Sequence, residues 1–162
     1  MQQVFLISGC NLGNRTDNMA MVLKEIEYSI GKVCNVSKLY ETEPWGFSAK
    51  EPFLNQVIEV VTSLHPAEVL QKATQIENKM GRKRTGNGYS SRVMDIDLLF
   101  YGNLVIQRPD LEIPHPRLHL RRFVLEPLVE IAPDFIHPVL NKTILVLLNE
   151  LDDEKGVSLY KE

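Results

Sequence analysis

Asp95 and Asp97 stand two residues apart in the run Arg92-Val93-Met94-Asp95-Ile96-Asp97-Leu98-Leu99-Phe100-Tyr101, and this stretch constrains the fold more than any other. Read as a strand, it turns both carboxylates to one face, roughly 6–7 Å apart along the chain direction. Ile96, Leu98 and Phe100 then face the other way, toward a core. Neighbouring carboxylates repel each other unless a cation lies between them. Oxygen ligands at this spacing suit a hard cation such as Mg²⁺. The bland alternative is a pair of solvated aspartates on a half-wet strand, although Asp is depleted in strands. Arg92 enters just ahead of the pair, behind a basic, glycine-dotted segment. Carboxylates for a metal beside arginines for anions suggest a metal–phosphate site.

The bulk numbers bound the rest. A chain of 162 residues fits one domain, residues 1–162, with a sizeable core. Its hydrophobic fraction of 44% and charged fraction of 24% are ordinary for a globular protein. A net charge of −3 gives no global attraction to nucleic acid or to an anionic membrane, so any basic patch is local. Two cysteines, Cys10 and Cys34, are too few for a disulfide scaffold. No leader pattern and no window of membrane-spanning length is visible, so a cytoplasmic protein is expected.

In chain order, Val4-Phe5-Leu6-Ile7-Ser8 reads as a buried first strand, ending in the turn Gly9-Cys10-Asn11-Leu12-Gly13-Asn14. That turn matches neither a dinucleotide fingerprint nor a P-loop. Met19, Val22, Leu23, Ile26 and Ile30 make one apolar stripe of a helix over 16–30, with Asn14 or Thr16 as its cap and Gly31 at its end. Residues 33–40 read as a second strand. The loop 41–52 carries the only tryptophan, Trp45, as either a packing anchor or a lid over a ligand. Residues 53–62 form a third strand, with Phe53 and Asn55 on one face. They either close the core and the loop or stack on and pair with a flat heterocycle.

A second helix spans 66–80, opened by Pro66 and ended by Gly81. Residues 82–92 hold four positive and no negative charges. Such a run is usually a solvated surface, but abutting a diacid strand it can close over phosphates. Gly102-Asn103 reads as a hairpin turn into Leu104-Val105-Ile106. Three prolines over 108–117 exclude helix and central strand, and they leave His115 in a rigid extended segment. His115 and Arg121 are candidate triphosphate ligands in a second cationic patch. A short helix over 124–132 with Pro127 in its first turn, a last helix over 143–151 and an edge strand over 157–160 complete the chain. The order β-α-β-β-α-β, with a following hairpin and C-terminal helices, predicts an α+β ferredoxin-like sandwich. That fold hosts many functions and does not by itself choose one.

Several of these pieces together resemble the 6-hydroxymethyl-7,8-dihydropterin pyrophosphokinase family. They are Gly9-Cys10-Asn11-Leu12-Gly13, residues 40–44, Phe53-Leu54-Asn55 and, above all, Arg92-Val93-Met94-Asp95-Ile96-Asp97-Leu98-Leu99. Ile113-Pro114-His115-Pro116-Arg117, Arg121-Arg122-Phe123 and Glu130-Ile131-Ala132-Pro133 extend the likeness over roughly residues 4–151. The resemblance implies transfer of the β,γ-pyrophosphoryl group of ATP, the co-substrate, to the pterin hydroxymethyl oxygen, with release of AMP. It implies Mg²⁺, two ions held by Asp95 and Asp97, in a reaction that is mostly positioning and charge neutralisation. Arg82, Arg92, Asp95 and Asp97 would be the catalytic set. Arg82, Arg92, His115 and Arg121 would hold the nucleotide's phosphates, Glu77 would sit at the adenosine, and Arg84 and Leu98 would also bind the nucleotide. Phe53 and Phe123 would sandwich the pterin, Asn55 would pair with its edge, and Thr42, Pro44 and Trp45 would form one wall. A monomer that binds only small molecules is expected, with no nucleic acid and no membrane.

The sequence departs from the family at a few points. Cys10 stands where Ser is usual, Thr74 where some members carry Gln, and Pro116 where some carry Tyr. Other readings of the same residues are a different Mg-dependent phosphoryl- or nucleotidyl-transfer enzyme that uses the diacid, or a non-catalytic ferredoxin-like nucleotide or RNA binder. The first would tolerate loss of Phe53 and Phe123. The second sits badly with paired aspartates, which repel phosphate in the absence of metal.

Overall fold

The computed structural model describes residues 1–42, 52–81, 93–152 and 156–161. The elements are β1 (Gln2–Cys10), α1 (Arg15–Ser29), β2 (Lys32–Val36), β3 (Tyr40–Thr42), β4 (Phe53–Thr62), α2 (Pro66–Lys79), β5 (Asp95–Tyr101), β6 (Ile106–Arg108), β7 (Leu111–Ile113), a 3₁₀ turn at Leu118–Leu120, α3 (Arg122–Ile131), α4 (Ile144–Asn149) and β8 (Val157–Leu159). The main sheet is antiparallel in the order β5-β1-β4-β3-β8, with β2 on the same edge of β4 as β3. This is the expected ferredoxin-like arrangement, with its second strand in two pieces and β8 added at the edge.

The sheet has a core on each face. Val4, Leu6, Leu54, Ile58, Ile96 and Leu98 pack under α1 and α2 against Met19, Val22, Ile26, Val69 and Ile76. Phe5, Ile7, Val57, Leu99 and Phe100 pack on the other face against Val124, Leu125 and Leu128 of α3 and Ile144 and Leu147 of α4. Pleat alternation makes both layers possible, because each central strand is apolar at both parities.

The structure corrects the sequence reading in several places. Residues 33–40 are not one strand. Ser37 breaks the run, because its hydroxyl rather than a backbone carbonyl accepts the N–H of Val57 at 3.0 Å. Phe100 does not share a face with Ile96 and Leu98. Phe5 pairs with Phe100 and Leu6 with Leu98, so Leu99 is an extra residue that reverses the alternation. The strand after Gly102-Asn103 does not return along β5 but pairs with β7. Pro127 sits inside α3 rather than in its first turn, since that helix opens at Arg122. The small residue needed at Gly31 reflects a close approach, because a Cβ there would collide with the carbonyl of Val61. Asn14 caps α1 by accepting the N–H of Asp17, and Gly81 closes α2 at φ +95.

Candidate active site

The site is built on the α3 face of the sheet, where β1 ends and β4 and β5 begin. Ile7 lies opposite Val57 on one side and Asp97 on the other. Ile7 and Val57 belong to the α3-side core, so Asp97 points to that face too. Two residues on, Gly9 lies between Asn55 and Asp95. Tyr40 pairs with Asn55 and Thr42 with Phe53, which continues the same face onto β3. Across four strands the exposed end of this face therefore reads Asp95 and Asp97, then bare Gly9, then Asn55 and Phe53, then Thr42 and Tyr40.

Gly9 keeps the middle of this shelf open. A methyl group there would come within 3.0 Å of Asn55 Oδ1. Asn55 is buried and donates from Nδ2 to Thr42 Oγ1 at 3.1 Å. That contact leaves its carbonyl oxygen as an acceptor beside the glycine. Phe123, in the first turn of α3, packs at the border of the α3-side core, and the Arg121 guanidinium lies 5.7 Å from the centre of its ring. An aromatic face, an amide and a bare backbone shelf fit a flat heteroaromatic ring.

The other half of the site is charged. Asp95 and Asp97 are half-buried on one face, as their spacing predicts. His115 is brought back to them because its N–H donates to the Leu99 carbonyl at 3.0 Å, at the extra residue in β5. Burial, then Arg121 and Arg117, lower the His115 pKa to about 4, with Asp95 acting in the opposite direction. Its Nδ1 accepts the Arg117 N–H at 3.2 Å, so the proton of the neutral ring sits on Nε2. His115 is therefore a neutral N–H donor flanked by two guanidinium groups. A cavity of about 140 Å³ behind it, lined by Gln107, Glu112, His119 and His137, shares only His115 with the shelf.

Glu77 and Leu98 lie elsewhere. The Leu98 side chain is buried in the core under α1 and α2, so it can offer a ligand only its main chain on β5, the end strand of the sheet. Glu77 is also buried, and it accepts the Ile96 N–H at 2.9 Å. It thus holds β5 from α2 at the residue between the two aspartates. Pro44, Trp45, Arg82, Arg84 and Arg92 lie outside the described residues.

Two aspartates are too few to enclose a transition metal, and among the described residues no group of three or more His, Cys, Asp or Glu is assembled for one. They do fit Mg²⁺, which keeps several waters and completes its shell with substrate phosphates. Sequence reasoning missed Gly9 as part of the site and the Thr42–Asn55 bond. The sequence signals for Gly9 were its place at a strand end and in the Gly9-Cys10-Asn11-Leu12-Gly13 motif, neither of which shows its strand neighbours.

Comparison with known proteins bears on the family and the fold. The family model described as 7,8-dihydro-6-hydroxymethylpterin-pyrophosphokinase matches residues 5–133. The chain is 39% identical over 141 residues to the 2-amino-4-hydroxy-6-hydroxymethyldihydropteridine pyrophosphokinase of Porphyromonas gingivalis, covering 85% of this chain and 95% of that protein. It is 37% identical to the Aquifex aeolicus enzyme of the same name, covering 89% of each. It is also 43% identical to a folic acid synthesis protein of Dictyostelium discoideum, but spans only 21% of that protein's length. Among solved structures, the Plasmodium falciparum HPPK-DHPS wild type superposes with a TM-score of 0.76 at 19% identity, over 92% of this chain and 44% of that one. This likeness concerns the fold, and the chain spans less than half of that two-part protein. Match, identity and coverage agree that this chain belongs to the 7,8-dihydro-6-hydroxymethylpterin-pyrophosphokinase family, the ATP-dependent pyrophosphokinases of folate synthesis.

Proposed function

We propose that the shelf between Asp95 and Thr42 is where the pyrophosphoryl group passes from ATP to the hydroxymethyl oxygen of the dihydropterin. The observation that carries this is the β5-β1-β4 register, with the diacid and Asn55 on either side of Gly9. The pterin lies on the shelf, stacked between Phe53 and Phe123, with its amide edge on Asn55 and with Thr42 at one side. Pro44 and Trp45 complete that wall. Each aromatic contact adds about 1 kcal/mol beyond burial. The triphosphate lies along the β5 side. His115 donates Nε2–H to a phosphate oxygen, and Arg121 supplies charge from the start of α3. Arg82, Arg84 and Arg92 bind phosphates from the basic segment, Arg82 and Arg92 against the charge that builds during transfer. Adenosine meets the outer edge of β5 at the Leu98 main chain, near Glu77.

In the reaction the hydroxymethyl oxygen bonds to the β-phosphorus while the bond from that phosphorus to the α,β-bridging oxygen breaks. AMP leaves with the bridging oxygen, and the hydroxyl proton is lost to solvent. Asp95 and Asp97 would hold Mg²⁺, two ions in the fullest form of this reading, which supply charge neutralisation of the triphosphate and of the incoming alkoxide. The protein's own contribution is placement of the two reactants. Both partners are small molecules. The net charge is −3, and among the described residues no helix is long and apolar enough to cross a membrane. On this reading the enzyme is a cytoplasmic monomer.

The test is product identity and a split between the two half-sites. With Mg²⁺–ATP and 6-hydroxymethyl-7,8-dihydropterin the expected nucleotide product is AMP; ADP would overturn the stated bond cleavage. Asp97→Asn is expected to lower kcat by about 10³-fold or more while pterin binding, read by its fluorescence, stays near normal. Near-normal turnover in that variant would remove the metal assignment.

A further inference from the structure

We propose that Arg15 is a positioning residue of the pterin pocket, acting on both stems of the segment that joins Thr42 to Phe53. It is the first residue of α1, and its side chain is only 14% exposed. Its Nη1 donates to Glu41 Oε2 at 3.0 Å and to the Pro52 carbonyl at 2.9 Å. Glu41 immediately precedes Thr42, Pro52 immediately precedes Phe53, and Thr42 and Phe53 are directly opposed across β3 and β4. The same guanidinium lies 5.5 Å from the centre of the Tyr160 ring, just after β8, the strand that pairs with the outer side of β3.

Glu41 points away from the shelf, because alternation puts it on the face opposite Tyr40 and Thr42. Through Glu41, Arg15 therefore acts on β3 from behind the shelf. β3 has only three residues, paired with β4 on one side and with β8 on the other, so its ladder is short and a side-chain brace at its end adds to its hold. A planar guanidinium bridging a carboxylate and a carbonyl sets the distance between the two stems. That distance sets the Asn55–Thr42 bond at 3.1 Å, and with it the direction in which the Asn55 amide presents its oxygen. If the stems part, Thr42 withdraws and the amide is free to turn. Asp95 and Asp97 lie across β1 on β5, beyond the reach of this change. The consequence is selective: losing Arg15 harms pterin binding and spares ATP.

The inference rests on the assignment of Thr42, Asn55 and Phe53 to the pterin, so Asn55→Ala is measured alongside. In Arg15→Met the KM for the pterin is expected to rise about tenfold and the KM for ATP to stay within about twofold, with Arg15→Lys recovering part of the loss because it keeps charge and donors. A purely structural role would lower the melting temperature and shift both KM values together. That result, or unchanged KM values, overturns the proposal. If Arg15→Met does not fold, Arg15→Lys and Glu41→Gln decide it: each is expected to raise the pterin KM alone, and a normal pterin KM in both is negative. A raised pterin KM in Asn55→Ala with a normal one in Arg15→Met removes only the role of Arg15. A normal pterin KM in Asn55→Ala removes the pocket assignment and this inference with it.

Discussion

At the scale of single residues, the site depends as much on a missing side chain as on those present. Gly9 stands between Asn55 and Asp95, and any Cβ there meets Asn55 Oδ1. Gly9→Ala is expected to raise the pterin KM about tenfold or more and to cost under about 1 kcal/mol of stability, because the displaced atom is the end of a side chain rather than backbone. Parallel KM and urea titrations check this, and a stability loss without a KM effect would count against the shelf. Asp95, Asp97, Phe53 and Asn55 were legible in the sequence because alternation alone fixes which residues of one strand share a face. That all four share a single face required the pairing of three strands. His115 was legible as a ligand type but not in its state. Burial, reinforced by two guanidinium groups, keeps it neutral, so it serves as a hydrogen-bond donor rather than as the cation that a histidine in a basic patch suggests.

At the scale of elements, the helices followed their apolar stripes and caps closely, whereas strands departed wherever a side chain or an extra residue intervened. Ser37 is the clearest case. Its hydroxyl accepts the Val57 N–H at 3.0 Å, and its carbonyl accepts Gln56 Nε2 at 2.7 Å. Ser37→Ala leaves the buried Val57 N–H without that acceptor and is expected to cost about 1–3 kcal/mol. Denaturant unfolding measures the loss, and a change below about 0.5 kcal/mol would mean that the strand heals across the break. The extra residue Leu99 likewise left no local signal, since Leu98-Leu99-Phe100 is apolar in either register. It has a functional result: it aims a carbonyl at the His115 N–H, which draws the proline-flanked segment back over the diacid.

At the scale of the whole molecule, two cores lie back to back on the sheet, and two histidines on its α3 side, His115 and His137, resist protonation. Burial lowers the pKa of His137, with His119 adding to the effect, and His115 is lowered to about 4. Both folded values lie below the ordinary 6.5, so below that pH the unfolded chain takes up more protons than the folded one. Their stabilising contribution is complete above about pH 6.5 and is lost as pH falls toward the folded values. For the metal-free protein the unfolding free energy is expected to drop between pH 7 and pH 5 by about 1 kcal/mol from His115, after discounting for the solvent that reaches it. Urea midpoints at the two pH values check the sign, and a protein more stable at pH 5 would show that other groups dominate. By itself the sequence determined the element types, the shared face of Asp95 and Asp97 and, through its motifs, the family. Those follow from periodicities of two and 3.6 and from short spacings, which are local properties of the chain. Only the tertiary structure decided that Gly9 lies between Asn55 and Asp95, that Leu99 turns β5 toward His115, and that Arg15 joins Glu41 to Pro52. These are pairings between residues far apart in the chain, and no local pattern encodes strand register or the contacts of a side chain across elements.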